Sequence, residues 1–244
     1  MKNVVITMPR FFVPGIGTDQ VHISGEDARH MAKSLRLTVG DEITLCDGKG
    51  WDYQGKILEL GDDITLQIIS KRETKSEPRA KVTLFQALPK GDKMELIIQK
   101  CVELGVHEIV PILTSRCISR PDPKSMRKKV ERYNKIALEA AKQSGRGMIP
   151  KVSELLTLEQ AVKRLPQKNI VFYENGGQRL KELVNEHTLD LGIFVGSEGG
   201  FSMEEIEFLG QYQVLPATLG ERILRCETAP ICGLSVVLSL TGDI

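Results

Sequence analysis

The sequence predicts two domains, a small β-rich domain followed by a larger α/β domain. Up to about residue 75, short strand-like runs are separated by Gly and Asp turns. From residue 81 onward, strand-like and helix-like runs alternate, a pattern typical of a mostly parallel sheet covered by helices. Between them lies "RETKSEPRAK", a polar, proline-containing segment typical of a linker. With 244 residues, the chain is long enough for two modest hydrophobic cores.

The first predicted domain covers residues 1–74 and has the pattern of a small β-barrel or half-barrel. Its strand-like runs are "VHIS", "EITLCD", "WDYQGKILEL" and "DITLQIIS", with turns at Asp47-Gly48 and Asp62-Asp63. One helix interrupts them. Ser24 is a candidate N-cap for "GEDARHMAKSLRL", which has acids in its first turn and Arg36 in its last.

The second predicted domain covers residues 75–244. Its strand-like runs are "KVTLFQAL", "EIVPILT", "NIVFYE", "LGIFVG" and "YQVLPATL". Its helix-like runs are "DKMELIIQKCVELG", a long helix over 124–144, "QRLKELVNEH", "SMEEIEFL" and a last apolar helix over 228–241. Sheets of this kind bind ligands at the carboxyl ends of their strands, so the loops after the strands are the first candidates for a site.

A glycine cluster follows one of these strands, in "LGIFVGSEGGFSMEEIEFL". Ser202 and Glu205 form a capping box that starts the next helix, so residues 196–200 are the turn between strand and helix. The turn lacks the Gly-Lys-Ser/Thr of a P-loop and the glycine spacing of a dinucleotide fold. Because Glu198 would repel a phosphate, a bound ligand is expected to be neutral or cationic. A tight turn without a ligand is the alternative.

A second glycine-bearing junction follows the next strand, in "LPATLGERILRCETAPICGL". Gly220 ends the strand, Arg222 and Arg225 flank two apolar residues, and Glu227 precedes the last helix. An ordinary loop with surface arginines is the alternative. Two glycine-bearing junctions at adjacent strand ends nevertheless favour a shared pocket.

The net charge of +1 hides an uneven distribution of charge along the chain. Residues 116–151 carry 11 basic and 3 acidic residues, a net charge of +8, while the rest of the chain carries −7. Six cations follow the predicted long helix opposite an apolar stripe, namely Lys124, Arg127, Lys128, Lys129, Arg132 and Lys135. A solvated helix face is the alternative, but the concentration of charge favours a footprint for nucleic-acid phosphates.

The composition excludes several protein classes. The five cysteines are odd in number and form no Cys-x-x-Cys, which argues against a disulfide framework and against a zinc site. The chain has no apolar run long enough for a membrane span, and its start does not resemble a signal peptide. We therefore expect a cytoplasmic protein with neither a metal nor a membrane partner.

The motifs, taken together, resemble one known family. "PRFFV" and "HMAKSLRLTVGD" in the first domain, "PKGDKMELIIQKCVELGVHEIVP" and "ALEAAKQSGR" in the second, and then "GSEGGF" and "LGERILRCETA" are similar to the RsmE family of ribosomal RNA methyltransferases in the SPOUT superfamily. The resemblance covers essentially the whole chain. It implies methylation of N3 of a uridine in 16S rRNA of the small ribosomal subunit, with S-adenosylmethionine (SAM) as cofactor.

The resemblance also implies a fold and a binding site. It implies a PUA-like or OB-like barrel, a SPOUT domain with a trefoil knot over about residues 170–244, and a homodimer. The cofactor-binding residues that it implies are Tyr173, Glu174, Val195, Gly196, Glu198, Gly199, Gly200, Leu219, Gly220, Ile223, Leu224, Arg225, Thr228 and Ala229. The chain departs from the family pattern at Ser197, where the family usually has Pro, and at Lys142 and Cys226.

The reaction suggests roles for charged residues. Uridine N3 must lose its proton, and the negative charge then spreads to the carbonyl oxygens O2 and O4. The guanidinium group of an arginine can stabilise this charge by donating hydrogen bonds to a carbonyl oxygen, so Arg10, Arg222 and Arg225 are catalytic candidates. Glu198 is a fourth candidate, and it or Glu227 could accept the proton only if burial raised its pKa. Purely structural roles for both carboxylates are the alternative.

The predicted RNA contacts combine the basic segment with residues of the first domain. They are Arg10, Phe11, His30, Arg36, Arg116, Lys124, Arg127, Lys128, Lys129, Arg132 and Arg146. In "PRFF" a cation adjoins two aromatic residues, a pairing that can hold an unpaired base, although Phe11 and Phe12 could equally belong to the barrel core. Two other functions stay open, a SPOUT methyltransferase acting on tRNA or on a ribose 2′-oxygen, and a ribosome-assembly module without catalysis.

Overall fold

The computed structural model describes residues 10–17, 19–35 and 37–244, and these form two compact units. The first unit extends to Glu77 and also includes Ala141–Ile149, and the second comprises Pro78–Ala140 and Pro150–Ile244. The predicted domain boundary lies between residues 74 and 75, with all later residues in the second domain. The structure therefore adds a feature that the sequence pattern does not contain, the return of a short segment to the first unit.

The first unit is built on a curled five-stranded sheet of the half-barrel type. Its strands are β1 (Phe11–Phe12), β2 (Gln20–Ile23), β3 (Glu42–Cys46), β4 (Trp51–Leu60) and β5 (Ile64–Glu73). Their order across the sheet is β1-β3-β4-β5-β2, and only the β1–β3 pair is parallel. Helix α1 (Gly25–Arg29) continues as a π-helix over His30–Ser34, where the sequence predicted one regular helix.

The core of this unit follows the two-residue period of its strands. Along β4, Tyr53 and Ile57 are buried on the inner face, and between them Gly55 leaves room for Leu66 of β5. The other buried core residues are Phe11, Val21, Ile23, Ala28, Met31, Ile43, Leu45 and Ile64. Burying each of the large apolar side chains contributes about 1.5–3 kcal/mol, so this small core can hold the sheet together.

The carboxylate of Glu77 explains why residues 141–149 return to the first unit. It accepts hydrogen bonds from the guanidinium of Arg146 at 2.6 Å and from the backbone N–H groups of Gly147 at 2.8 Å and Met148 at 3.1 Å. A Cβ at position 147 would lie 2.1 Å from Oγ1 of Thr74, so only glycine fits there. The returning segment is thus held by specific polar contacts and by a close backbone approach.

The second unit contains a sheet in which every strand pair is parallel. Its strands are β6 (Lys81–Ala87), β7 (Glu108–Leu113), β8 (Lys151–Val152), β9 (Leu156–Thr157), β10 (Lys168–Phe172), β11 (Gln178–Arg179), β12 (Asp190–Val195) and β13 (Val214–Thr218). The order across the sheet is β11-β13-β10-β12-β6-β7-β8, and β9 also pairs with β7. The carboxyl ends of β13, β10, β12 and β6 therefore lie side by side on one edge.

The long helices follow strands at the positions where the sequence predicts them. The helices are α2 (Lys93–Leu104), α3 (Pro123–Ser144), α4 (Leu158–Ala161), α5 (Leu180–Leu183), α6 (Met203–Gln211) and α7 (Thr228–Thr241), with a 3₁₀ turn at Val162–Arg164. The sequence pattern does not predict β1, β8, β9, β11 and α4, because elements of two to four residues contain no full hydrophobic period. It also makes α5 too long, since Val184 is already extended. No helix in the described ranges is both long and apolar enough to cross a membrane.

Asp52 is the charged centre of the first unit. Its side chain is buried and accepts hydrogen bonds from the Arg10 guanidinium at 2.5 Å, the Thr74 hydroxyl at 2.7 Å and the Cys46 thiol at 3.1 Å. Burial, and then the hydrogen bond to Asp52, raise the pKa of the Cys46 thiol to about 12, so the thiol stays neutral and donates. The buried carboxylate of Asp52 in β4 is thus linked by hydrogen bonds to Cys46 in β3, to Arg10 and to Thr74.

Replacing Asp52 with Asn should destabilise the first unit. The amide cannot neutralise Arg10, and one of its donors would face the groups that now donate to the carboxylate, so we expect a loss of about 3 kcal/mol in the free energy of unfolding. Urea unfolding followed by circular dichroism measures this loss. Asp63→Asn, which makes the same change at an exposed turn residue, should stay within about 0.5 kcal/mol of wild type. Equal stability of the two variants would contradict the assigned role of Asp52.

Candidate active site

The loops after β10, β12 and β13 enclose a cavity at the carboxyl edge of the second unit's sheet. Since β10 lies between β12 and β13, the three loops are neighbours in space although they are separated in sequence. The cavity has a volume of about 490 Å³. Its lining residues are Lys93, Phe172, Tyr173, Glu174, Val195, Gly196, Ser197, Glu198, Gly200, Thr218, Leu219, Gly220, Glu221, Arg222, Ile223, Leu224, Arg225, Cys226 and Ala229. The two glycine-bearing junctions therefore share a pocket, as the sequence predicts.

Residues 196–200, which we call the glycine loop, are folded tightly on themselves. The backbone N–H of Gly200 donates to the carbonyl of Ser197 at 3.0 Å. A Cβ on Gly196 would lie 2.8 Å from Cα of Gly200, and Gly200 itself has φ = +65°, which favours glycine. The glycine loop is thus a tight turn that also forms part of the cavity wall. Its glycines allow the backbone to approach a ligand in the cavity closely.

Residues 219–225, which we call the arginine loop, present main-chain groups to the cavity. Within the described part of the chain, the backbone N–H groups of residues 221–224 donate to no other residue. The loop ends where the carbonyl of Arg225 accepts from the N–H groups of Thr228 at 2.8 Å and Ala229 at 2.9 Å, which starts α7. A cavity wall with free amide donors can recognise a neutral polar ring by hydrogen bonds alone.

Lys93 connects a third junction to these loops. It is the first residue of α2, after β6, and its Nζ lies 2.8 Å from Oε1 of Glu198 and 3.6 Å from Oε2 of Glu227. The backbone N–H of Lys90 also donates to Glu198, at 3.1 Å. Lys93 is not among the site residues predicted from the sequence. The available signal was its position at the start of the helix that follows β6, a strand that ends at the same edge as the two glycine-bearing junctions.

The ionisation of this cluster follows from its contacts. Burial raises the pKa of Glu198, but hydrogen bonds from Lys93 and from the backbone outweigh it and hold the pKa below its ordinary value. In Glu227, too, the raising effect of burial is outweighed, by hydrogen bonds from its own backbone N–H and the Cys226 thiol and by Lys93, so its pKa is lowered. The hydrogen bond to Glu198 raises the pKa of Lys93. All three groups are charged at neutral pH.

This result corrects the catalytic hypothesis for Glu198. The hypothesis required a pKa raised by burial, whereas the pKa is lowered, and a carboxylate of low pKa is a weak proton acceptor. The adjacent Cys226 does not provide a base, because burial and then the hydrogen bond to Glu227 raise the pKa of its thiol to about 12. Among the described residues, no group of three His, Cys, Asp or Glu side chains is placed to hold a metal ion.

The structure places twelve of the fourteen predicted cofactor residues on the cavity wall and two elsewhere. Gly199 faces the opposite way, and a Cβ there would lie 2.9 Å from Cβ of Arg116. Thr228, the first residue of α7, is exposed and does not line the cavity. The predicted catalytic residues Arg222 and Arg225 line the cavity and are exposed, and they form no ion pair with any described residue.

Arg10 has a structural environment in the first unit. It forms the ion pair with buried Asp52 and donates to the carbonyl of Gly145, both at 2.5 Å. Phe11 next to it is only 2% exposed and belongs to the core, whereas Phe12 is half-buried. This corrects the expected RNA contact at Phe11 and favours Phe12 as the aromatic residue that faces outward.

The other predicted RNA contacts fall into two groups. Lys124, Arg127 and Lys128 are exposed on α3 and Lys129 is half-buried there, and none of the four has an acidic partner in the described ranges. Three arginines are engaged by the protein itself: Arg132 pairs with Glu95 at 2.7 Å, Arg146 is buried against Glu77, and Arg116 donates to the carbonyl of Gly199 at 2.9 Å. Arg36 and the side chain of His30 lie outside the described part of the structure.

Comparisons with known proteins identify the family. Residues 75–238 match the model of an RNA methyltransferase domain, and residues 23–69 match that of an RNA methyltransferase PUA domain. The ribosomal RNA small subunit methyltransferase E of Bacillus subtilis (strain 168) is 34% identical over 225 residues, which are 88% of this chain and 88% of that protein. The chain belongs to the RsmE family. The predicted family and the predicted fold class are both confirmed.

Solved structures of similar proteins cover nearly the whole chain. The RsmE protein of Neisseria gonorrhoeae, solved bound to S-adenosyl methionine, has 30% identity and a TM-score of 0.86, and the match covers 96% of this chain and 98% of that one. A Legionella pneumophila protein, solved in complex with the bound cofactor SAM, has 31% identity and a TM-score of 0.84 over the same fractions. Two methyltransferase structures that were solved with SAM bound thus share this fold.

Substituting Lys93 should change how stability depends on pH. Because folding lowers the pKa of Glu198 and Glu227, their ionised forms stabilise the protein above the unfolded value of 4.5, and this contribution is lost as pH falls through the folded values. Lys93→Met removes the shared counter-charge, so we expect stability to fall less between about pH 7 and about pH 4 than in wild type.

Urea unfolding at the two pH values measures this difference. Lys163→Met removes the same charge from an exposed lysine that forms no ion pair with any described residue, and it should keep the pH dependence of wild type. A Lys93→Met variant with an unchanged pH dependence would show that Lys93 does not govern the two carboxylates.

Proposed function

We propose that this protein uses SAM to methylate N3 of a specific uridine in 16S rRNA, acting on the assembled small ribosomal subunit as a cytoplasmic homodimer. The observation that carries the proposal is the cavity between the glycine and arginine loops, in a fold shared with SAM-bound family members. A trefoil knot in the second unit is part of the same proposal, because the family resemblance implies it.

The lining of the cavity fits a cationic, phosphate-free cofactor such as SAM. Free N–H groups of the arginine loop suit the nitrogen atoms of an adenine ring, and Leu219 and Leu224 supply apolar surface. Glu174 and Glu221 line the cavity without a cationic partner among the described residues, so their charge favours a positively charged ligand. Tyr173 and the glycine loop complete the proposed cofactor site.

The arginine loop is also suited to the target base. When bound, SAM supplies a methyl group attached to a positively charged sulfur. Arg222 and Arg225 are free to donate to the two carbonyl oxygens beside N3, which carry the negative charge once the base has lost its proton. Ile223 between them is 85% exposed and offers an apolar contact for the face of the ring. Much of the rate enhancement would then come from holding the reacting atoms at contact distance.

Helix α3 provides the proposed contact with the RNA backbone. Tyr133 and Ala137 are buried on one side of the helix, which leaves Lys124, Arg127 and Lys128 exposed on the other. Exposed cations without acidic partners attract phosphates independently of sequence and in a salt-dependent manner. The choice of one uridine must therefore come from other contacts, such as those around the target base.

Methyl transfer from radiolabelled SAM tests the proposed activity. Purified protein is offered small subunits, large subunits and deproteinised rRNA, and labelled RNA is digested for nucleoside mass spectrometry. We expect label in small-subunit RNA as 3-methyluridine, with small subunits preferred over free rRNA. Label in another position or another RNA would overturn the substrate assignment, and no label with SAM binding intact would direct the search to tRNA.

Adding a methyl group to the glycine loop should weaken cofactor binding. In Gly196→Ala, the new Cβ would overlap the backbone of Gly200, so the loop must open and the cavity wall must shift. We expect the Kd for SAM to rise at least about tenfold in calorimetric titration, since a shift of about 1.4 kcal/mol is sufficient. Gly210→Ala is the matched control, because a Cβ there meets nothing within 4 Å. Equal SAM affinity of both variants would place the ligand elsewhere.

Neutralising α3 should weaken RNA binding without affecting SAM. In the triple variant Lys124→Gln, Arg127→Gln and Lys128→Gln, we expect the slope of log K against log salt to fall by roughly 1 for each cation that contacts a phosphate. Filter binding to small subunits over a salt series measures the slope. The control is the double variant Lys163→Gln and Lys181→Gln, exposed lysines of the same unit. An unchanged slope in the triple variant would remove α3 from the interface.

A further inference from the structure

Residues 114–120 connect β7 to the turn before α3 and lie against the glycine loop. One side of the glycine loop lines the cavity through Gly196, Glu198 and Gly200. The opposite side is covered by Arg116, whose Nη1 donates to the carbonyl of Gly199 at 2.9 Å. Arg116 therefore contacts the glycine loop from the side opposite to the cavity.

The contact with Arg116 involves more than one hydrogen bond. A Cβ on Gly199 would lie 2.9 Å from Cβ and 3.5 Å from Cδ of Arg116, so the missing side chain of Gly199 leaves space for the aliphatic stem of the arginine. The hydroxyl of Ser197 also lies 3.5 Å from the carbonyl oxygen of Arg116, at the limit of a hydrogen bond. Stem, guanidinium and backbone of Arg116 all face the same short loop.

The segment that carries Arg116 is itself fixed in place. The backbone N–H of Ser115 donates to Glu205 at 2.7 Å, and the same carboxylate accepts from the N–H of Ser202 at 2.9 Å in the capping box of α6. Arg120 donates to the carbonyls of Thr114 and Ser115, both at 3.0 Å. Arg116 thus projects from a braced segment that is joined to the end of the glycine loop by a second, independent contact.

We propose that Arg116 is a positioning residue for the cofactor pocket and not an RNA contact. The glycine loop contains three glycines in five residues, which makes its backbone intrinsically flexible, so contacts from outside the loop must select one conformation. Lys90 and Lys93 contact the side chain of Glu198. Arg116 supplies the contact with Gly199 on the side away from the ligand. The inference rests on the proposed function, because it takes SAM to be the ligand of the cavity.

Two substitutions separate the two possible roles of Arg116. Arg116→Met keeps an apolar stem but removes every donor, and Arg116→Lys keeps the charge but cannot reproduce the fork of the guanidinium. We expect both variants to raise the Kd and the KM for SAM about tenfold, the loss typical of a hydrogen bond from a charged group, while kcat at saturating SAM stays within about threefold. Affinity for small subunits should stay within about twofold, and the thermal midpoint should fall by no more than roughly 6 °C.

Arg127→Met is the matched control, because Arg127 is exposed on α3 and has no acidic partner in the described ranges. It should lower the affinity for small subunits and leave the SAM titration unchanged. The inference is overturned if Arg116→Met behaves like Arg127→Met and Arg116→Lys restores RNA affinity, since a point charge suffices to attract a phosphate. Failure of the unaltered protein to bind SAM would overturn the proposed function and, with it, this inference.

Discussion

The order of strands in the parallel sheet is the constraint on which the proposed site depends. Because β13, β10, β12 and β6 are neighbours and run in the same direction, the loops that follow them must meet at one edge. Lys93 then joins three of these junctions through Glu198 and Glu227. Parallel pairing brings the loops together, and the ion pairs of Lys93 with Glu198 and Glu227 link them to one another. The cavity is therefore a consequence of topology first and of individual side chains second.

The charges in the cavity divide into two groups with different tasks. Lys93 and its two carboxylates satisfy one another, and the lowered pKa values of the carboxylates reflect that pairing. Arg222 and Arg225 form no ion pair among the described residues, and this makes them available to a substrate. An arginine without a protein partner in a cavity can stabilise charge that appears only during a reaction, whereas a satisfied pair contributes mainly to the shape of the site.

Much of the fold and of the site could be predicted from the sequence because the relevant signals are local. The glycines of "GSEGG", the Ser202–Glu205 capping box and the strand–helix alternation each lie within a few residues, and the structure contains them all. Lys93 was missed because its partners are more than a hundred positions away. The return of residues 141–149 was missed for the same reason, since Glu77 recognises that segment across the chain. The roles of Arg10 and Glu198 depend on partners and burial, which spacing does not reveal.

In the basic segment, residues 116–151, the net charge is larger than the number of cations that are available to bind RNA. Of its arginines, Arg116, Arg120, Arg132 and Arg146 donate to carbonyls or carboxylates of the protein itself. Its exposed lysines Lys124, Lys128 and Lys135 have no such partner within the described residues, and neither does Arg127. Rigid guanidinium forks suit fixed internal geometry, whereas flexible ammonium groups suit a phosphate backbone whose position varies. The net charge of +8 thus overstates the RNA footprint, because four of the five arginines in the segment donate to groups of the protein itself.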